Sequence, residues 1–263
     1  LGRMLLDLND AERPRLSGKT APGSGTPLLS ENGELSPAQI ADAITARCQV
    51  LQVAGLKPAG AGVTLLGLQP KQRIPWYCAG CPHNTSTRVT DGSISASGIG
   101  CHSISALMDS ENHTWMCQMG GEGQHWVGRA PFSPIKHSFV NLGDGTYNHS
   151  GSLAIRSAVS SGVNITFKLL FNDAVALTGG QSVDSDHRPW DIAQQLIGEG
   201  VARIEIVSDR PEDLKDAPWP RGLKARHRRE FDKIQRELRE VSGTSVLIYV
   251  QTCAAEKRRR RKK

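Results

Sequence analysis

The chain has 263 residues, 38% of them hydrophobic, which is enough to bury one large core with an appended segment. No run approaches 18 consecutive apolar residues and the N-terminus carries no secretory leader pattern, so we expect a cytoplasmic protein without a membrane partner. Six cysteines scattered over this length argue against the disulfide framework of a small secreted protein. Because the sequence starts at Leu1 and ends within a Lys/Arg run, we also expect a fragment of a longer protein.

Two linker-like stretches set the expected domain boundaries. Residues 16–33 are rich in Ser, Gly, Pro and Thr, and residues 55–72 are rich in Gly and Pro, so both predict extended linkers. We therefore expect residues 1–73 to form a linker with a short helical segment. Residues 74–256 are expected to form the main domain, and residues 257–263 a basic tail or linker.

A helix is predicted between the two linkers. Ser36 suits the N-cap, Pro37 the first helical position and Gln39 the third, where it would complete a capping box. One side of this helix carries apolar residues at Ile40, Ile44, Cys48 and Leu51. This pattern predicts a packed face with Cys48 in a core.

The centre of the chain predicts a strand–helix–strand unit. Residues 139–142 form a short apolar strand, residues 151–161 a helix, and residues 165–171 a buried strand. The helix is expected to bury Leu153, Ile155 and Val159. Strands joined through a helix are parallel, so Asp144 and Asn172 both follow carboxyl ends of strands, where open α/β sheets collect ligands. Their oxygen atoms suit a hard cation such as Mg²⁺.

The remaining segments continue an alternating pattern of strands and helices. Further strands are predicted over 93–99, 115–119, 203–207 and 245–250. Further helices are predicted over 102–108, 190–199 and 228–240, the last with Phe231, Ile234 and Leu238 facing inward. We therefore predict a doubly wound α/β domain with about six, mostly parallel strands and helices on both faces of the sheet.

Two Gly-rich turns are candidate anion sites. Gly98-Ile-Gly100 precedes a predicted helix, and Gly120-Gly-Glu-Gly123 follows a predicted strand. Backbone N–H groups at a helix N-terminus attract anions, and with Asp144 and Asn172 they would supply what a magnesium diphosphate needs. Taken alone, each of these signals is weak. The Gly-Asp-Gly of residues 143–145, for example, is more often a plain turn, because Gly and Asp suit turns.

The Cys78-Ala-Gly-Cys81 string has several interpretations. A zinc site needs a second pair of ligands at suitable spacing, and none follows. An iron–sulfur cluster needs four nearby thiolates. If Cys81 lay close to Cys101 and Cys117 in space, the three thiols would still allow a zinc site. The alternative interpretation is that these cysteines are buried thiols in turns. We predict that Cys78, Cys81, Cys101 and Cys117 form no metal site.

Five strings in fixed order carry a resemblance to a known family. They are Cys78-Ala-Gly-Cys81-Pro-His83-Asn, Gly98-Ile-Gly-Cys101-His, Met119-Gly-Gly-Glu-Gly123, Gly143-Asp-Gly-Thr-Tyr-Asn-His-Ser-Gly151 and Thr178-Gly-Gly-Gln181. The Gly-Asp-Gly with Asn172 after the next strand resembles the thiamine diphosphate signature. Together the strings resemble the thiamine-diphosphate domain of indolepyruvate (2-oxoacid) ferredoxin oxidoreductases, especially the long fused bacterial form. The resemblance runs from about Ile74 to the C-terminus, and more loosely back to Ser36.

The resemblance implies a set of cofactor contacts. Mg²⁺ would be held by Asp144, Asn172 and the backbone carbonyl of Ala174, while Phe171 stands where the family often has a second Asn or Asp. The residues expected to contact thiamine diphosphate are Cys81, His83, Gly100, Cys101, Gly121, Glu122, Gly143, Asp144, Gly145, Thr146, Asn172, Ala174, Thr178 and Gly179. In the family, the Glu that activates the aminopyrimidine ring comes from a separate pyrimidine-binding domain. No match to that domain is found, so no catalytic residue is assigned and the segment alone is expected to be inactive.

The resemblance also implies a reaction and its partners. A 2-oxoacid, by family an aryl pyruvate, would be oxidatively decarboxylated to an acyl-CoA, with electrons passing through iron–sulfur clusters to ferredoxin. The clusters and the pyrimidine-binding domain are expected elsewhere in the full, homo-oligomeric enzyme, with no cluster in this segment. One alternative is a non-oxidative thiamine-diphosphate-dependent decarboxylase or synthase, against which the Cys78–Cys81 loop and the Thr178 string argue. A second is a basic binding module acting through the C-terminal tail.

The tail dominates the charge of the chain. The net charge is +6, and without the seven positive charges of residues 257–263 it is about −1. A charge run is commonly a solvated linker, so we expect no nucleic-acid partner. The tail is predicted to be exposed, weakly ordered and without a role in the cofactor site. Its deletion is expected to change stability by less than about 0.5 kcal/mol.

Overall fold

The computed structural model describes residues 9, 19–20, 25, 27–30, 32, 35–53, 74–180 and 186–262. The chain divides into two compact units, Leu1–Gln72 and Arg73–Lys263. The predicted linker over 55–72 lies outside the described residues, as do most of residues 16–33 and Gln181. Within the first linker, Thr20 and Pro27 form an isolated antiparallel bridge.

The first unit contains helix α1, Pro37–Val50, and its start confirms the capping box. The Gln39 N–H donates to Ser36 Oγ at 3.2 Å, and the Ser36 N–H donates to Gln39 Oε1 at 2.8 Å. The predicted packed face is wrong, because Ile44 is 55% exposed and Cys48 is only half-buried. The other side of the helix, with small residues such as Ala43, lines a cavity together with residues 27–30.

The second unit is built on a parallel sheet, which confirms the predicted fold class. Its strands are β1 (Ile94–Ser97), β2 (His113–Met116), β3 (Ser138–Gly143), β4 (Ile165–Phe171), β5 (Arg203–Ser208), β6 (Ala225–His227) and β7 (Thr244–Val250). All pairings are parallel, in the order β2-β1-β3-β4-β7-β5-β6. The described part therefore has seven strands where about six were predicted. The additional strand β6 lies at the edge, and its three residues carry no apolar run.

The helices of the second unit alternate with these strands. They are α2 (His83–Ser86), α3 (Ser105–Met108), α4 (Gln124–Arg129), α5 (Asp144–Thr146), α6 (Ser152–Ser161), α7 (Pro189–Gly198), α8 (Phe231–Arg239) and α9 (Ala254–Arg261). A π-helical turn at Tyr147–Gly151 joins α5 to α6, so the backbone is helical from residue 144 to residue 161. None of the described helices has the length and apolarity needed to cross a membrane.

One face of the sheet is apolar. Alternate residues of β3 and β4 point to this face, and they are fully buried: Val140, Leu142, Ile165, Phe167 and Leu169. Helix α6 covers them with Ala154, Ile155 and Ala158. Val159 is partly buried against the same core, whereas Leu153 is 58% exposed, contrary to its predicted burial. Residues two apart do not share a helix face, so Ile155 and Leu153 cannot both point inward.

The opposite face is polar beside the first strands and apolar farther along. Asn141 Nδ2 donates to Ser97 Oγ at 3.0 Å, and Thr166 Oγ1 bonds both His137 Nε2 and Ser245 Oγ at 2.8 Å. Next to these groups, helix α8 buries Phe231, Ile234 and Leu238 as predicted. The buried polar face was not predicted from the sequence.

Lys168 is the most unusual residue of the polar face, since it is a fully buried lysine on a central strand. Its Nζ donates to the carbonyl oxygens of Thr87 at 3.2 Å and Arg88 at 3.0 Å. It also lies 5.6 Å from the ring centroid of Phe139 and 5.7 Å from that of Phe231. Burial lowers the pKa of Lys168 to about 7. Lys168 thus links the segment that follows helix α2 to the sheet through hydrogen bonds.

The C-terminal run corrects the prediction of a weakly ordered tail. Residues 257–261 belong to helix α9, and the side chains of Arg258, Arg259 and Arg260 bond to preceding loops of the same unit. These arginines are exposed, as predicted. The run differs from a solvated linker because neighbouring carbonyl and carboxylate groups satisfy its guanidinium groups.

Candidate functional site

A cavity of about 290 Å³ opens beyond the carboxyl ends of β3 and β4. It is lined by His83, Ile99, Gly100, Cys101, His102, Met119, Gly143, Asp144, Gly145, Thr146, Asn148, His149, Asn172, Ala174, Val175, Ala176 and Leu177. This is the edge at which open parallel sheets bind ligands. Most of the residues predicted to contact the cofactor are therefore brought together in one place.

Asp144 joins the ends of the two central strands. Strand β3 ends at Gly143, and Asp144 begins the helical stretch directly. Its Oδ2 accepts the N–H groups of Asn172 at 3.1 Å and Asp173 at 3.0 Å, and its Oδ1 accepts the Gly145 N–H at 2.9 Å. Burial raises the pKa of Asp144 to about 6, although these N–H bonds oppose the shift. The carboxylate is thus held at the end of β4 as well as β3.

The loop after β4 places two further oxygen donors beside Asp144. Asn172 is buried, and its Oδ1 accepts the Ala174 N–H at 3.2 Å. Between them, Asp173 adopts a left-handed conformation with φ 59°. Asp144, Asn172 and Ala174 all line the cavity, so the three predicted Mg²⁺ ligands lie together. Their binding of the ion stays a prediction.

His102 packs against two glycines at the floor of the cavity. A Cβ at Gly100 would lie 2.5 Å from His102 Cε1, and a Cβ at Gly143 would lie 3.4 Å from it, so a side chain at residue 100 would displace the ring. His102 Nε2 is buried without a hydrogen-bond partner among the described residues. Burial lowers the pKa of His102 to about 3, and the ring is neutral at pH 7. A polar ligand in the cavity would give this nitrogen a partner.

His83 is the second neutral histidine of the cavity. Its Nδ1 lies 3.2 Å from Ser86 Oγ, and its ring meets that of His102 edge-on with centroids 6.0 Å apart. Tyr77 packs on its other side at 5.7 Å. Burial lowers the pKa of His83 to about 4. Both histidines can therefore donate or accept single hydrogen bonds without adding charge to the cavity.

The Gly120–Gly123 turn does not present its N–H groups as predicted. The Gly120 N–H donates to Glu122 Oε2 at 2.7 Å, and the Gly121 N–H donates to the Gln118 carbonyl at 3.1 Å. Glu122 is fully buried against Gly98, where a Cβ would lie 2.2 Å from Oε1. The turn uses these two donors itself, and contact of Gly121 and Glu122 with the cofactor stays a prediction. The predicted contact residues outside the cavity lining are Cys81, Gly121, Glu122, Thr178 and Gly179.

Several lining residues were missed by the sequence analysis. Asn148 and His149 lie in the π-helical turn, a feature that often occurs at functional sites. Their signal was present in the string from Gly143 to Gly151, and His102 follows Cys101 in another of the strings. Ile99 and Met119 also lie in two of the strings, whereas Val175, Ala176 and Leu177 are apolar residues for which no signal existed.

Four thiols lie within electrostatic reach of one another. Burial, together with smaller contributions from the nearby thiols of Cys101, Cys253 and Cys78, raises the pKa of Cys81 to about 11. Cys253 was not grouped with the others from the sequence, whereas Cys117 interacts with Glu122 instead. Among the described residues, no group of three or more His, Cys, Asp or Glu side chains is arranged to hold a metal ion. That Cys78, Cys81, Cys101 and Cys117 bind no metal ion stays a prediction.

The cavity fits a magnesium diphosphate. Asp144, Asn172 and Ala174 offer the hard oxygen donors that Mg²⁺ prefers. The helical stretch that begins at Asp144 directs its positive end toward the same place. No Lys or Arg occurs among the described lining residues, so a metal ion would have to offset the phosphate charge.

Sequence comparison finds distant relatives with one shared description, although no family model matches the chain. The chain is 24% identical over 211 residues to the indolepyruvate oxidoreductase subunit IorA of Pyrococcus horikoshii, covering 69% of this chain and 30% of the relative. It is 27% identical over 204 residues to the same subunit of Thermococcus kodakarensis, covering 70% and 30%. The chain thus spans about a third of these curated relatives, and the predicted resemblance is confirmed. Both relatives are archaeal, so they do not support a bacterial origin.

A solved structure supports the fold. The 2-oxoglutarate:ferredoxin oxidoreductase from Magnetococcus marinus, with 2-oxoglutarate, coenzyme A and succinyl-CoA bound, matches with a TM-score of 0.52 and 17% identity. The match covers 72% of this chain and 69% of that chain. The chain therefore has the α/β fold of a 2-oxoacid:ferredoxin oxidoreductase chain.

Proposed function

We propose that the chain is the thiamine-diphosphate- and magnesium-binding part of an indolepyruvate (2-oxoacid) ferredoxin oxidoreductase. One observation carries this proposal. The Asp144 carboxylate spans the ends of β3 and β4 and lies in one cavity with Asn172 and Ala174. The similarity to indolepyruvate oxidoreductase subunits supports the choice of family.

The three oxygen donors would hold Mg²⁺ and, through it, the diphosphate of the cofactor. Asp144 would bind through its carboxylate, Asn172 through Oδ1 and Ala174 through its carbonyl oxygen. Asn172 Oδ1 accepts the Ala174 N–H and retains a second lone pair for a metal. When bound, thiamine diphosphate would supply the carbanion chemistry that 2-oxoacid decarboxylation needs.

The protein groups around the cavity would orient the cofactor and exclude water. His83 and His102 are neutral and buried, and His102 Nε2 lacks a partner among the described residues. We expect His102 Nε2 to bond to the bound cofactor. The two rings add no positive charge beside the metal, which leaves the diphosphate charge to Mg²⁺.

The cavity resembles half of an active site. Asp144 is the only acidic side chain among its described lining residues, and we assign it to the metal. Met119 and Leu177 lie at the cavity with 43% and 52% of their surfaces exposed. Apolar side chains left open around a cavity suit a covering domain. We therefore propose that a pyrimidine-binding domain closes the site and supplies the acid that activates the aminopyrimidine ring.

The proposed reaction converts a 2-oxoacid, with an aryl pyruvate as the expected substrate, to an acyl-CoA and CO₂. The two electrons would pass through iron–sulfur clusters in other domains of the enzyme to ferredoxin. We propose a homo-oligomeric, cytoplasmic enzyme. The alternative of a basic binding module loses support, because Arg258, Arg259 and Arg260 bond to groups of the chain itself.

A reconstitution assay tests this proposal. The chain would be incubated with thiamine diphosphate, Mg²⁺, coenzyme A, indolepyruvate and a viologen acceptor, with and without the pyrimidine-binding and cluster domains of a relative. We expect no turnover by the chain alone and viologen reduction when the domains are added, lost again on Asp144→Ala. Robust turnover by the chain alone would contradict the half-site. Aldehyde formation without viologen reduction would instead indicate a non-oxidative decarboxylase.

A further inference from the structure

The loop over residues 172–180 contains conformations that need external support. It carries Asn172 and Ala174, and Asp173 within it has φ 59°, which is uncommon outside glycine. Gly179 and Gly180 also have positive φ values, of 111° and 85°. Its backbone bonds include Gly180 N–H to the Val175 carbonyl at 3.0 Å and Gly179 N–H to the Ala176 carbonyl at 3.3 Å. These short-range bonds do not reach the metal-ligand end of the loop.

Arg259 of helix α9 binds the far end of this loop. Its Nη1 donates to the Gly180 carbonyl at 2.7 Å, and its Nη2 donates to the Gly179 carbonyl at 2.6 Å. A Cβ at Gly180 would lie only 3.1 Å from Arg259 Nη1, so glycine permits this close approach. Hydrogen bonds from a charged donor are stronger than neutral ones, and here one guanidinium group holds two successive carbonyls.

Arg260 binds the near end of the loop. Its Nη2 donates to Asp173 Oδ2 at 2.6 Å, directly between the two proposed metal ligands. Glu256 orients both arginines, since its Oε1 accepts from Arg260 Nε at 3.0 Å and its Oε2 from Arg259 Nη1 at 2.7 Å. Both guanidinium groups are about half-exposed, so these ion pairs contribute little to global stability. Their effect is expected to be local.

Backbone bonds place helix α9 against the metal-ligand end of the same loop. The Gln251 N–H donates to the Phe171 carbonyl at 3.1 Å, and the Cys253 N–H donates to the Asn172 carbonyl at 2.9 Å. Helix α9 starts at the next residue, Ala254. The helix and the segment before it therefore contact the loop at both of its ends.

We propose that Arg259 and Arg260 are positioning residues that hold the loop over residues 172–180 in the conformation the metal and diphosphate site needs. The role of the loop in binding metal and diphosphate rests on the function proposed above, whereas the contacts of the two arginines with the loop do not. We call this pair of arginines the clamp, because Arg259 and Arg260 of the basic run hold the loop at the proposed cofactor site. The two arginines act through the loop and touch no reacting atom.

Hydrogen exchange in the ligand-free, 263-residue chain tests the clamp. We expect Arg259→Ala and Arg260→Ala to raise the exchange rate of amides in residues 173–180 about fivefold, the effect of losing one typical hydrogen bond that is partly exposed to solvent. Peptides from β4 should exchange as in the wild type. Arg261→Ala is the matched control, because Arg261 lies on the same helix and makes no side-chain hydrogen bond or ion pair to a described residue.

A double-mutant cycle separates the Arg260–Asp173 contact from general loosening of the helix. Asp173→Asn removes the ion pair but keeps a residue that tolerates the left-handed conformation. If the pair acts as a unit, the double variant exchanges no faster than either single variant. Arg260→Lys should recover part of the protection, since it keeps the charge but loses the forked geometry.

Titration with Mg²⁺ and thiamine diphosphate completes the test. We expect weaker cofactor binding by Arg260→Ala and unchanged binding by Arg261→Ala. Unchanged exchange of residues 173–180 in both Arg259→Ala and Arg260→Ala would overturn the clamp, whether or not the wild type binds the cofactor. A wild type that does not bind the cofactor, even with the pyrimidine-binding domain present, would overturn the proposed function. The exchange data would still decide the clamp.

Discussion

The two faces of the central sheet use the same strands in opposite ways. On one face, β3 and β4 bury aliphatic and aromatic side chains such as Val140 and Phe167. On the other, the alternate residues Asn141, Thr166 and Lys168 are equally buried but polar or charged. The apolar face is stabilised by contact that requires no specific partner, whereas every group on the polar face needs one. The polar face therefore adds specificity and pH dependence to the fold.

The polar face also connects the sheet to segments that form the cavity. Lys168 holds the carbonyls of Thr87 and Arg88, which follow the helix that carries His83. His113 Nδ1 bonds to the Ser95 hydroxyl and lies 3.2 Å from Ser105 Oγ, next to the segment that contains His102. The apolar face therefore supplies the stability of this unit, while the polar face positions its candidate site.

The largest expected effect is on the apolar face. Phe167→Ala removes a fully buried ring and should lower the free energy of unfolding by about 3–5 kcal/mol. The loss should be the same at pH 6 and pH 8, because no titratable group is involved. Urea denaturation at both pH values measures it. Leu153→Ala, at an exposed position of α6, is the control and should cost less than about 0.5 kcal/mol. Equal losses for the two variants would contradict the assignment of the core.

A second effect, of about 3 kcal/mol from His113 alone, should come from acid on the polar face. Burial lowers the pKa of His113 to about 4, so the unfolded chain binds a proton between pH 6.5 and 4 that the folded chain does not. Stability should therefore fall as the pH is lowered through this window. His113→Asn should reduce the slope, whereas Phe167→Ala should lower the whole curve without changing its slope. A wild-type curve that is flat from pH 6.5 to 4 would show that the buried histidines are accessible to protons.

A smaller effect, of about 1 kcal/mol between pH 7 and 8, is expected from Lys168. Burial lowers its pKa to about 7, far below its value in the unfolded chain, so above pH 7 only the unfolded chain keeps the proton. The free energy of unfolding should thus rise from pH 7 to 8 in the wild type. In Lys168→Met this rise should disappear. Urea denaturation of both proteins at pH 7 and pH 8 measures this rise. An unchanged rise in Lys168→Met would show that another titratable group causes it.

The parts of the fold set by local pattern were predicted from the sequence. Strand β4 has the predicted limits, Ile165–Phe171, because it is a mostly apolar run between a turn and a polar loop. The juxtaposition of Asp144 and Asn172 followed from the parallel order of strands joined by a helix. Both inferences depend on residues that are close in sequence, which is why they succeeded at the site.

The parts set by distant contacts were not predicted. The Lys/Arg run has no apolar periodicity, and only the positions of Asp173 and Gly180 show that its arginines have partners. Glu122 points inward because Gly98, distant in sequence, leaves room for its carboxyl group. Lys168 interrupts an apolar strand, and its buried partners are the carbonyls of residues 87 and 88. No spacing rule reveals such partners.

Binding of thiamine diphosphate to the chain, with and without Mg²⁺, tests the central claim most directly. By calorimetry we expect the wild type to bind in the presence of Mg²⁺, and to lose binding when the metal is chelated. Asp144→Asn should weaken binding at least about tenfold, which corresponds to 1.4 kcal/mol. The exposed Asp216 provides the control variant Asp216→Asn, which should bind like the wild type. Binding by Asp144→Asn as tight as that of the wild type, or binding that survives removal of Mg²⁺, would contradict the assignment of Asp144 as the metal ligand.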